Sequence, residues 1–311
     1  MLARPMDVLT AFPVRKSKAQ KQAFRDAVQS YVIGLGYECK VERGSFGSRN
    51  IVIGDPENAK YVVTAHYDTP ANMIVPNLIT PCNFLTFLLY QVTVVGVIMA
   101  ATILFAIVVN TLVQDAMLTE RIALIFYFGV VVVMMAGPAN KSNANDNTSG
   151  VITVLETART MPEMHRDQVA FVLFDLEELG TIGSAAYRKK HKKATNGQTI
   201  LNLDCVGDGD HILLLPFKKA LKDPQLLAGL NRVSGRFGNK QIEVRTKGCR
   251  FYPSDQMNFP KCVGIAAFHK RKWVGYYCAR IHTRKDTVLE ETNINVLRAA
   301  ITSLITCDAA Q

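Results

Sequence analysis

The sequence predicts an α/β fold, in which helices cover a parallel or mixed β-sheet, with one apolar helical hairpin inserted into it. Short apolar runs alternate with segments of helical periodicity, which is typical of α/β proteins. Polar clusters follow several of these runs, at the edge where open α/β sheets bind ligands. Of the 311 residues, 49% are hydrophobic and 20% are charged, so a disordered chain and a small disulfide-stapled protein are excluded.

The first part of the chain is expected to supply one helix and three strands. Apolar residues recur at helical spacing over 17–36, and glycines at the end of that segment favour a stop. Short β-like runs follow at 38–41 and 50–53. The compact apolar run 61–65 predicts a buried strand that ends at His66.

Two apolar segments separate these strands from the rest of the chain. Residues 84–109 contain no charged side chain, and a helix of that length would measure about 39 Å, longer than the hydrocarbon core of a bilayer. A polar break at 110–121 precedes a second apolar run at 122–137, which would measure about 24 Å as a helix and is marginal for spanning. We expect a transmembrane hairpin; a buried core hairpin or a dimerisation arm is the alternative.

Beyond the hairpin, helical and strand patterns alternate again. The spacing predicts helices over 150–160 and 184–193, and strands over 168–174 and 199–203. The sheet that began before the hairpin therefore continues after it. The expected division is one globular domain built from 1–78 and 141–311, and an inserted hydrophobic hairpin at 79–140.

The cysteines and the N-terminus indicate a reducing compartment. The seven cysteines are odd in number, scattered, and contain no C-x-x-C pair, which argues against a disulfide framework and a structural zinc knuckle. Residues 1–16 hold no apolar run of the length that a signal peptide needs. We therefore expect no export through the secretory route.

The net charge of +10 favours an anionic partner. No nucleic-acid-binding motif accompanies this charge, so no nucleic-acid partner is expected. Residues 218–285 carry 16 basic side chains against three acidic ones, whereas the connection at 110–121 is mixed. This asymmetry favours a multi-pass protein of the cell membrane whose globular domain faces the cytoplasm. The basic run at 188–193 is expected to rest on anionic lipid headgroups.

Five polar clusters combine imidazole and carboxylate groups just beyond apolar strands or in turns. Neutral imidazole and carboxylate oxygen are the ligands that Zn²⁺ accepts where thiolates are absent, and a pair of ions needs a carboxylate that bridges them. The clusters are His66-Tyr67-Asp68, Asn145 to Gly150, Asp175 to Gly180, Asn202-Leu203-Asp204, and His282 to Thr287.

The order of these motifs resembles the dizinc metallopeptidase family twenty-eight, the family of bacterial leucyl aminopeptidase. The motifs are H-x-D, N-D-N-x-S-G, E-E-L-G, N-L-D, S-D and H-T-x-x-D-T, and they cover nearly the whole chain outside the hairpin. The resemblance implies a three-layer α/β/α sandwich with a central mixed sheet. It implies two Zn²⁺ ions, for which Co²⁺ or Mn²⁺ could substitute. The implied ligands are His66 and Asp204 for one ion, Glu178 and His282 for the other, and Asp146 as the bridge.

The same resemblance assigns roles to further residues. Glu177 would be the general base, and a cis peptide would follow Asp146. Asp68 would fix the tautomer of His66, as Asp286 would for His282. Tyr252 is a candidate for stabilising the oxyanion. The S-D element is present as Ser254-Asp255, but Gln256 replaces the histidine that often follows, which leaves its role open.

Together these observations predict a membrane-anchored zinc aminopeptidase that removes N-terminal residues from peptides. The 80 positions between His66 and Asp146 exceed the usual family connection, and the hairpin accounts for the excess. We therefore expect the catalytic mouth near the membrane, lipid contact through 84–137, and substrates that arrive along the bilayer or are hydrophobic. The alternatives are a glutaminyl-cyclase-like acyltransferase, an endopeptidase, and an inactive scaffold. A homo-oligomer stays open.

Overall fold

A ten-stranded mixed sheet forms the centre of the protein in a computed structural model that describes residues 2–308, apart from residues 74 and 76. The strands are β1 (Cys39–Arg43), β2 (Arg49–Ile53), β3 (Tyr61–His66), β4 (Val169–Phe174), β5 (Thr199–Leu203), β6 (His211–Lys218), β7 (Gly235–Phe237), β8 (Lys240–Val244), β9 (Lys261–Arg271) and β10 (Gly275–Tyr277).

The strand order is β1-β2-β4-β3-β5-β9-β6-β8-β7, and β10 pairs with β9 beside this path. The four central strands, β4, β3, β5 and β9, run parallel to one another. All residues of β3, β4 and β5 are buried, which matches the nearly continuous apolar runs in their sequences and is typical of parallel strands covered on both faces. The carboxyl ends of these strands therefore meet at one edge of the sheet.

Helices pack on both faces of the sheet, so the predicted three-layer α/β/α sandwich is confirmed. One face carries α2, α5, α7 and α8, and the other carries α6 together with loops. The helices are α1 (Val8–Ala11), α2 (Lys18–Gly34), α3 (Phe84–Val113), α4 (Ala116–Ala136), α5 (Gly150–Thr160), α6 (Ile182–Lys190), α7 (Pro224–Arg232) and α8 (Glu291–Asp308).

Helix α2 shows how local sequence sets an element boundary. The Ser17 hydroxyl accepts a hydrogen bond from the backbone NH of Gln20 at 3.2 Å, and the Gln20 side chain accepts one from the Ser17 NH at 2.9 Å. This reciprocal capping box satisfies two NH groups that the first turn leaves unpaired. The fully buried side chains of Phe24, Val28 and Val32 then line one face and pack onto the sheet.

The apolar hairpin is helical over more residues than predicted. The polar break expected at 110–121 is limited to Gln114 and Asp115, and α4 begins at Ala116 rather than at 122. Gln114 ends α3 in a left-handed conformation, and the Asp115 carboxylate accepts a hydrogen bond from the Leu118 NH at 3.0 Å. This cap lets the polar residues after Asp115 form the first turns of α4.

Both hairpin helices are long and apolar enough to cross a membrane, by length and composition. They measure about 45 Å and about 31 Å at the usual helical rise, so α4 is not as short as the sequence indicated. Within them only Val109 and Thr119 are buried. The alternative of a buried core hairpin is therefore wrong, while the dimerisation arm and the proposed domain boundaries stay predictions.

Candidate metal centre

The sheet topology brings four of the predicted site residues to one edge. His66 is the last residue of β3, Glu177 and Glu178 follow β4, and Asp204 follows β5. Because these strands are parallel neighbours, the side chains converge at their carboxyl ends. Loops add Asp146 and His282, and all six side chains line one cavity of about 470 Å³.

His66 belongs to the first group of facing donors. Its Nε2 lies 3.3 Å from Asp146 Oδ1 and 3.8 Å from Asp204 Oδ1. The three side chains are almost completely buried and could hold one ion between them. Their pairing matches the set that the sequence motifs imply for one metal.

His282 belongs to the second group and shares Asp146 with the first. Its Nε2 lies 3.1 Å from Asp146 Oδ2 and 3.5 Å from Glu178 Oε2. These three side chains could also hold an ion. The two oxygens of the Asp146 carboxylate therefore face two different histidines, as a bridging carboxylate would.

The cavity concentrates buried negative charge. Burial raises the pKa of Glu177 well above the ordinary glutamate value, and repulsion from Glu178 adds to the rise against an attraction to His66. Burial likewise raises the pKa of Glu178, with repulsion from Asp146 as the next cause. For Asp146, hydrogen bonds from His282 and His66 outweigh the effect of burial and lower the pKa. A site of this kind favours a bound cation.

Asp68 connects the first histidine to the glutamate loop. Its Oδ1 lies 3.5 Å from His66 Nδ1, long for a hydrogen bond, and accepts a bond from the Glu177 NH at 3.0 Å. Its Oδ2 accepts from the Glu178 NH at 3.2 Å. The side chain thus positions both glutamates as well as facing His66, which is a wider role than the sequence suggested.

The loop around Asp146 is held by Asp286 and by amide side chains. Asp286 accepts hydrogen bonds from the backbone NH groups of Asn145 and Asp146, at 2.8 and 3.0 Å. The sequence predicted that Asp286 would support His282, whereas in the structure it supports the backbone at Asp146, the proposed bridging residue. Asn147 bonds across to the Asp204 loop, through the Leu203 carbonyl at 2.9 Å. The expected cis peptide is present between Asp146 and Asn147.

Tyr252 lines the cavity, but its side chain is almost completely buried. It is 2% exposed, and its hydroxyl donates a hydrogen bond to the Asp204 carbonyl at 3.0 Å. It therefore supports the loop that carries Asp204, and its role towards an oxyanion stays a prediction. In the S-D element, Asp255 is fully buried and Gln256 accepts a bond from the Asn202 amide at 2.8 Å. Burial raises the pKa of Asp255 to about 7.

Arg15 is a buried residue of the site that sequence reasoning missed. Its guanidinium donates to the Tyr67 carbonyl at 2.5 Å, to the Phe12 carbonyl at 2.7 Å and to the Thr148 hydroxyl at 3.0 Å. It thereby joins the loop after His66 to the loop after Asp146. Burial lowers its pKa to about 10, against the attraction of Asp68 and Asp146. In the sequence Arg15 belongs to no motif, so the sequence alone does not identify it as part of the site.

Comparisons with known proteins agree with this arrangement. Residues 130–304 match the family described as Peptidase family M28. This range is more than half of the chain and contains five of the six cavity side chains; it begins after the sixth, His66. The aminopeptidase YwaD of Bacillus subtilis is 39% identical over 67 residues, and the match spans 21% of this chain and 15% of that relative.

Two solved structures show the same fold. The LapA aminopeptidase of Legionella pneumophila superposes with a TM-score of 0.57 at 12% identity, over 99% of this chain and 70% of that one. The glutaminyl cyclase of Fimbriiglobus ruber superposes with a TM-score of 0.51 at 16% identity, over 97% and 93%. At such identities the likeness concerns the fold alone. On the evidence of the matched residues and the shared fold, this chain belongs to peptidase family M28.

Proposed function

We propose that the protein is a zinc-dependent aminopeptidase that holds two Zn²⁺ ions in the two donor groups. The observation that carries this proposal is the placement of Asp146 between His66 and His282, with one carboxylate oxygen towards each. Asp204 completes the first group and Glu178 the second. Imidazole nitrogen and carboxylate oxygen suit zinc, and Co²⁺ or Mn²⁺ are plausible substitutes at such donors.

The negative charge of the carboxylates also suits a pair of divalent cations. Five acidic side chains, Asp68, Asp146, Glu177, Glu178 and Asp204, lie around two imidazoles; the three aspartates are buried, and both glutamates line the cavity. Such a cluster is costly without compensating positive charge. Bound zinc would supply that charge, polarise a substrate carbonyl and acidify a water molecule.

Glu177 is the general base of the proposed reaction. It forms a third group of facing donors with His66 and Glu178, and it lines the cavity. Its carboxylate accepts a proton from the water that attacks the peptide carbonyl, and the resulting acid donates this proton to the leaving amine. Asp68 accepts hydrogen bonds from the backbone NH groups of Glu177 and Glu178, and so fixes the position of the base and of the ligand.

The substrate class proposed is peptides presented at a bilayer surface. Met135, near the end of α4, lines the cavity, and its neighbour Met134 lines an apolar groove of about 580 Å³ between α3, α4 and Met73. Met73 in turn donates a backbone hydrogen bond to the His282 carbonyl at 2.7 Å. This continuity supports an anchored enzyme that accepts hydrophobic side chains from the membrane side. The excess of basic residues over 218–285 favours the cytoplasmic face of the cell membrane.

A glutaminyl-cyclase-like acyltransferase is the second candidate, because the Fimbriiglobus ruber enzyme shares the fold over nearly its whole length. The number of zinc ions per chain separates the two candidates. Both donor groups are complete in this chain, so two ions are expected for the aminopeptidase. An endopeptidase and an inactive scaffold are tested by the same measurements.

The test uses the full chain in detergent or nanodiscs. We expect two zinc ions per chain by elemental analysis, release of the N-terminal residue from a free peptide, and no cleavage of its N-acetylated form. Cleavage of both forms would replace the proposal by an endopeptidase. One zinc per chain together with cyclisation of an N-terminal glutamine would favour the acyltransferase. Zinc binding without any turnover of peptide would favour the scaffold.

A further inference from the structure

The turn between β9 and β10 exposes the only tryptophan of the sequence. Trp273 is 85% exposed, and three exposed basic residues, Lys270, Arg271 and Lys272, precede it directly. The Lys272 ammonium lies 5.4 Å from the centre of the indole ring. We call residues Lys270–Val274 the basic tip.

The sheet carries the basic tip to the same side of the molecule as the apolar hairpin. Leu203, the last residue of β5, pairs with Ile265, and β9 continues past it as far as Arg271. This direction is the one in which β3 ends and in which the chain enters the hairpin. The tip therefore projects beyond the sheet edge that carries the metal centre.

A direct contact places the basic tip beside the first turn of α3. The Asn83 side chain donates a hydrogen bond to the Val274 carbonyl at 3.3 Å, and Asn83 is also the N-cap of α3. Trp273 thus lies at the level where the apolar helix begins. Beside it, the half-exposed Phe251 packs against Phe84 and Phe87 of the first turn, at ring distances of 5.5 and 5.0 Å.

The charge around the basic tip is positive. Residues 268–280 contain no acidic residue. Asp208 pairs with His269 at 2.9 Å and with Arg280 at 3.3 Å, and Glu243 pairs with His211 at 2.8 Å. The Lys270 ammonium contacts the Tyr276 hydroxyl at 3.2 Å, and that hydroxyl bonds to Glu243. Arg271 and Lys272 are exposed and form no ion pair among the residues that the structure describes.

We propose that the basic tip docks on the headgroup layer of a bilayer that contains anionic phospholipid, as a second membrane contact beside the hairpin. Tryptophan favours the membrane–water interface because its ring is apolar and its NH is a donor, and basic side chains are attracted to an anionic leaflet. The contact would hold the mouth of the cavity against the bilayer surface. This inference rests on the membrane anchoring in the proposed function.

Because Trp273 is the only tryptophan, its fluorescence reports on the basic tip alone. The full chain is reconstituted in vesicles of phosphatidylcholine with phosphatidylglycerol, and quenching by lipids brominated close to the headgroup is measured. We expect blue-shifted emission and strong quenching, with the signal absent in Trp273→Phe. The charge-reversed variant R271E/K272E should reduce quenching by about half or more, because attraction to the surface is lost.

The matched control is K192E/K193E, which makes the same charge change on exposed lysines at the opposite end of the molecule. Its quenching should equal that of the parent, and hydrolysis of a short water-soluble peptide should be unchanged in both variants. Water-like emission without quenching in a chain that resists carbonate extraction would overturn the docking of the tip while leaving the anchor intact. Extraction of the parent chain by carbonate would overturn both, whatever its peptidase activity.

Discussion

Glu177 and Glu178 are neighbours in the sequence, but their side chains have different surroundings. Glu178 reaches His282, with 3.5 Å between Oε2 and Nε2, whereas Glu177 faces His66. Both carboxylates lie within 4.8 Å of a His66 nitrogen, but only Glu178 also joins the group of Asp146 and His282. Asp68 holds both backbone NH groups in place. Adjacent carboxylates can therefore act as a base and as a ligand in one reaction.

The Glu177→Gln substitution tests the role of the base. The amide keeps the shape of the side chain but cannot accept the proton of the attacking water, so we expect kcat to fall by roughly 100-fold to 10,000-fold with little change in KM. Zinc content, measured by elemental analysis, should stay at two per chain. A variant that retains most of its kcat would remove Glu177 from the mechanism.

Glu178→Gln provides the matched comparison. It removes a proposed ligand rather than the base, so the expected result is a chain that binds less zinc at a given free concentration. Equal zinc affinity in the two glutamine variants would contradict the division of roles between them.

Asp68→Asn tests a residue that positions others. The amide loses one acceptor and its negative charge, so the glutamate loop and His66 are held less firmly. We expect zinc affinity or kcat/KM to fall by about 10-fold to 100-fold, as for other groups that orient metal ligands. Asp55→Asn is the control, since Asp55 also accepts backbone hydrogen bonds, from Glu57 and Asn58, but in a turn far from the cavity. An equal loss in both variants would point to general destabilisation.

The six cavity residues could be predicted from the sequence because each belongs to a motif that follows an apolar strand or lies in a turn. The supporting contacts could not. Arg15 reaches the Thr148 hydroxyl across 133 positions, and the partner of Asp286 turned out to be the backbone of Asn145 and Asp146. Such contacts depend on how separate loops meet in space, and no local pattern records this.

At the scale of elements, His191 connects the end of α6 to strand β1 and to the turn before β3. Its Nε2 lies 2.9 Å from Glu42 of β1, and its Nδ1 contacts Glu57 in the turn before β3. Burial lowers the pKa of His191, but the two glutamates outweigh it, and the pKa is raised. Below its raised pKa, the ring is a cation that can donate to a carboxylate from each nitrogen.

This pair of contacts predicts a pH-dependent stability. A raised folded-state pKa gives stabilisation that is fully present below the unfolded value of about 6.5 and is lost as the pH rises through the folded value. The melting temperature of His191→Gln in detergent should therefore fall below that of the parent at acidic pH, by an amount equivalent to roughly 1 kcal/mol, and approach it at alkaline pH. His165→Gln serves as the control, and a gap that widens with pH would contradict the argument.

The hairpin is joined to the globular body through a short paired base. Ala71 pairs with Ala139, and the Asn140 NH donates to the Pro70 carbonyl at 2.9 Å. Met73, between this base and α3, also contacts the site, through the His282 carbonyl. The helices alone can thus be removed while the loop that touches the metal centre is kept.

Replacing residues 84–136 by a short Gly/Ser linker separates anchoring from chemistry. We expect the shortened chain to leave the membrane fraction, to hydrolyse a water-soluble dipeptide within a few-fold of the parent, and to lose activity on a peptide held in vesicles by an acyl chain. Full activity of the shortened chain on the vesicle-bound peptide would show that the hairpin does not present substrates. Loss of zinc would show instead that the linker had disturbed the site.

At the scale of the whole molecule, the basic run at 188–193 and the basic tip lie at opposite ends of the sheet. The run at 188–193 follows α6 to the end of the sheet where β3 begins, since His191 contacts the turn before that strand. The hairpin and the basic tip lie at the end where β3 stops. Since the sheet stands between them, the expected contact of 188–193 with lipid headgroups stays a prediction that the proposed anchoring at the hairpin does not support.

The orientation across the membrane can be tested with one cysteine at each end. If the globular domain faces the cytoplasm, Met117→Cys, at an exposed position in the first turn of α4, should react with a membrane-impermeant maleimide in intact cells. Lys192→Cys, on the far side of the globular domain, should react only after permeabilisation, because positive charge retains that domain in the cytoplasm. The parent chain, whose seven cysteines are free, gives the background. Labelling of Lys192→Cys alone in intact cells would reverse the orientation, and labelling of both would exclude a hairpin that spans the bilayer with the domain inside.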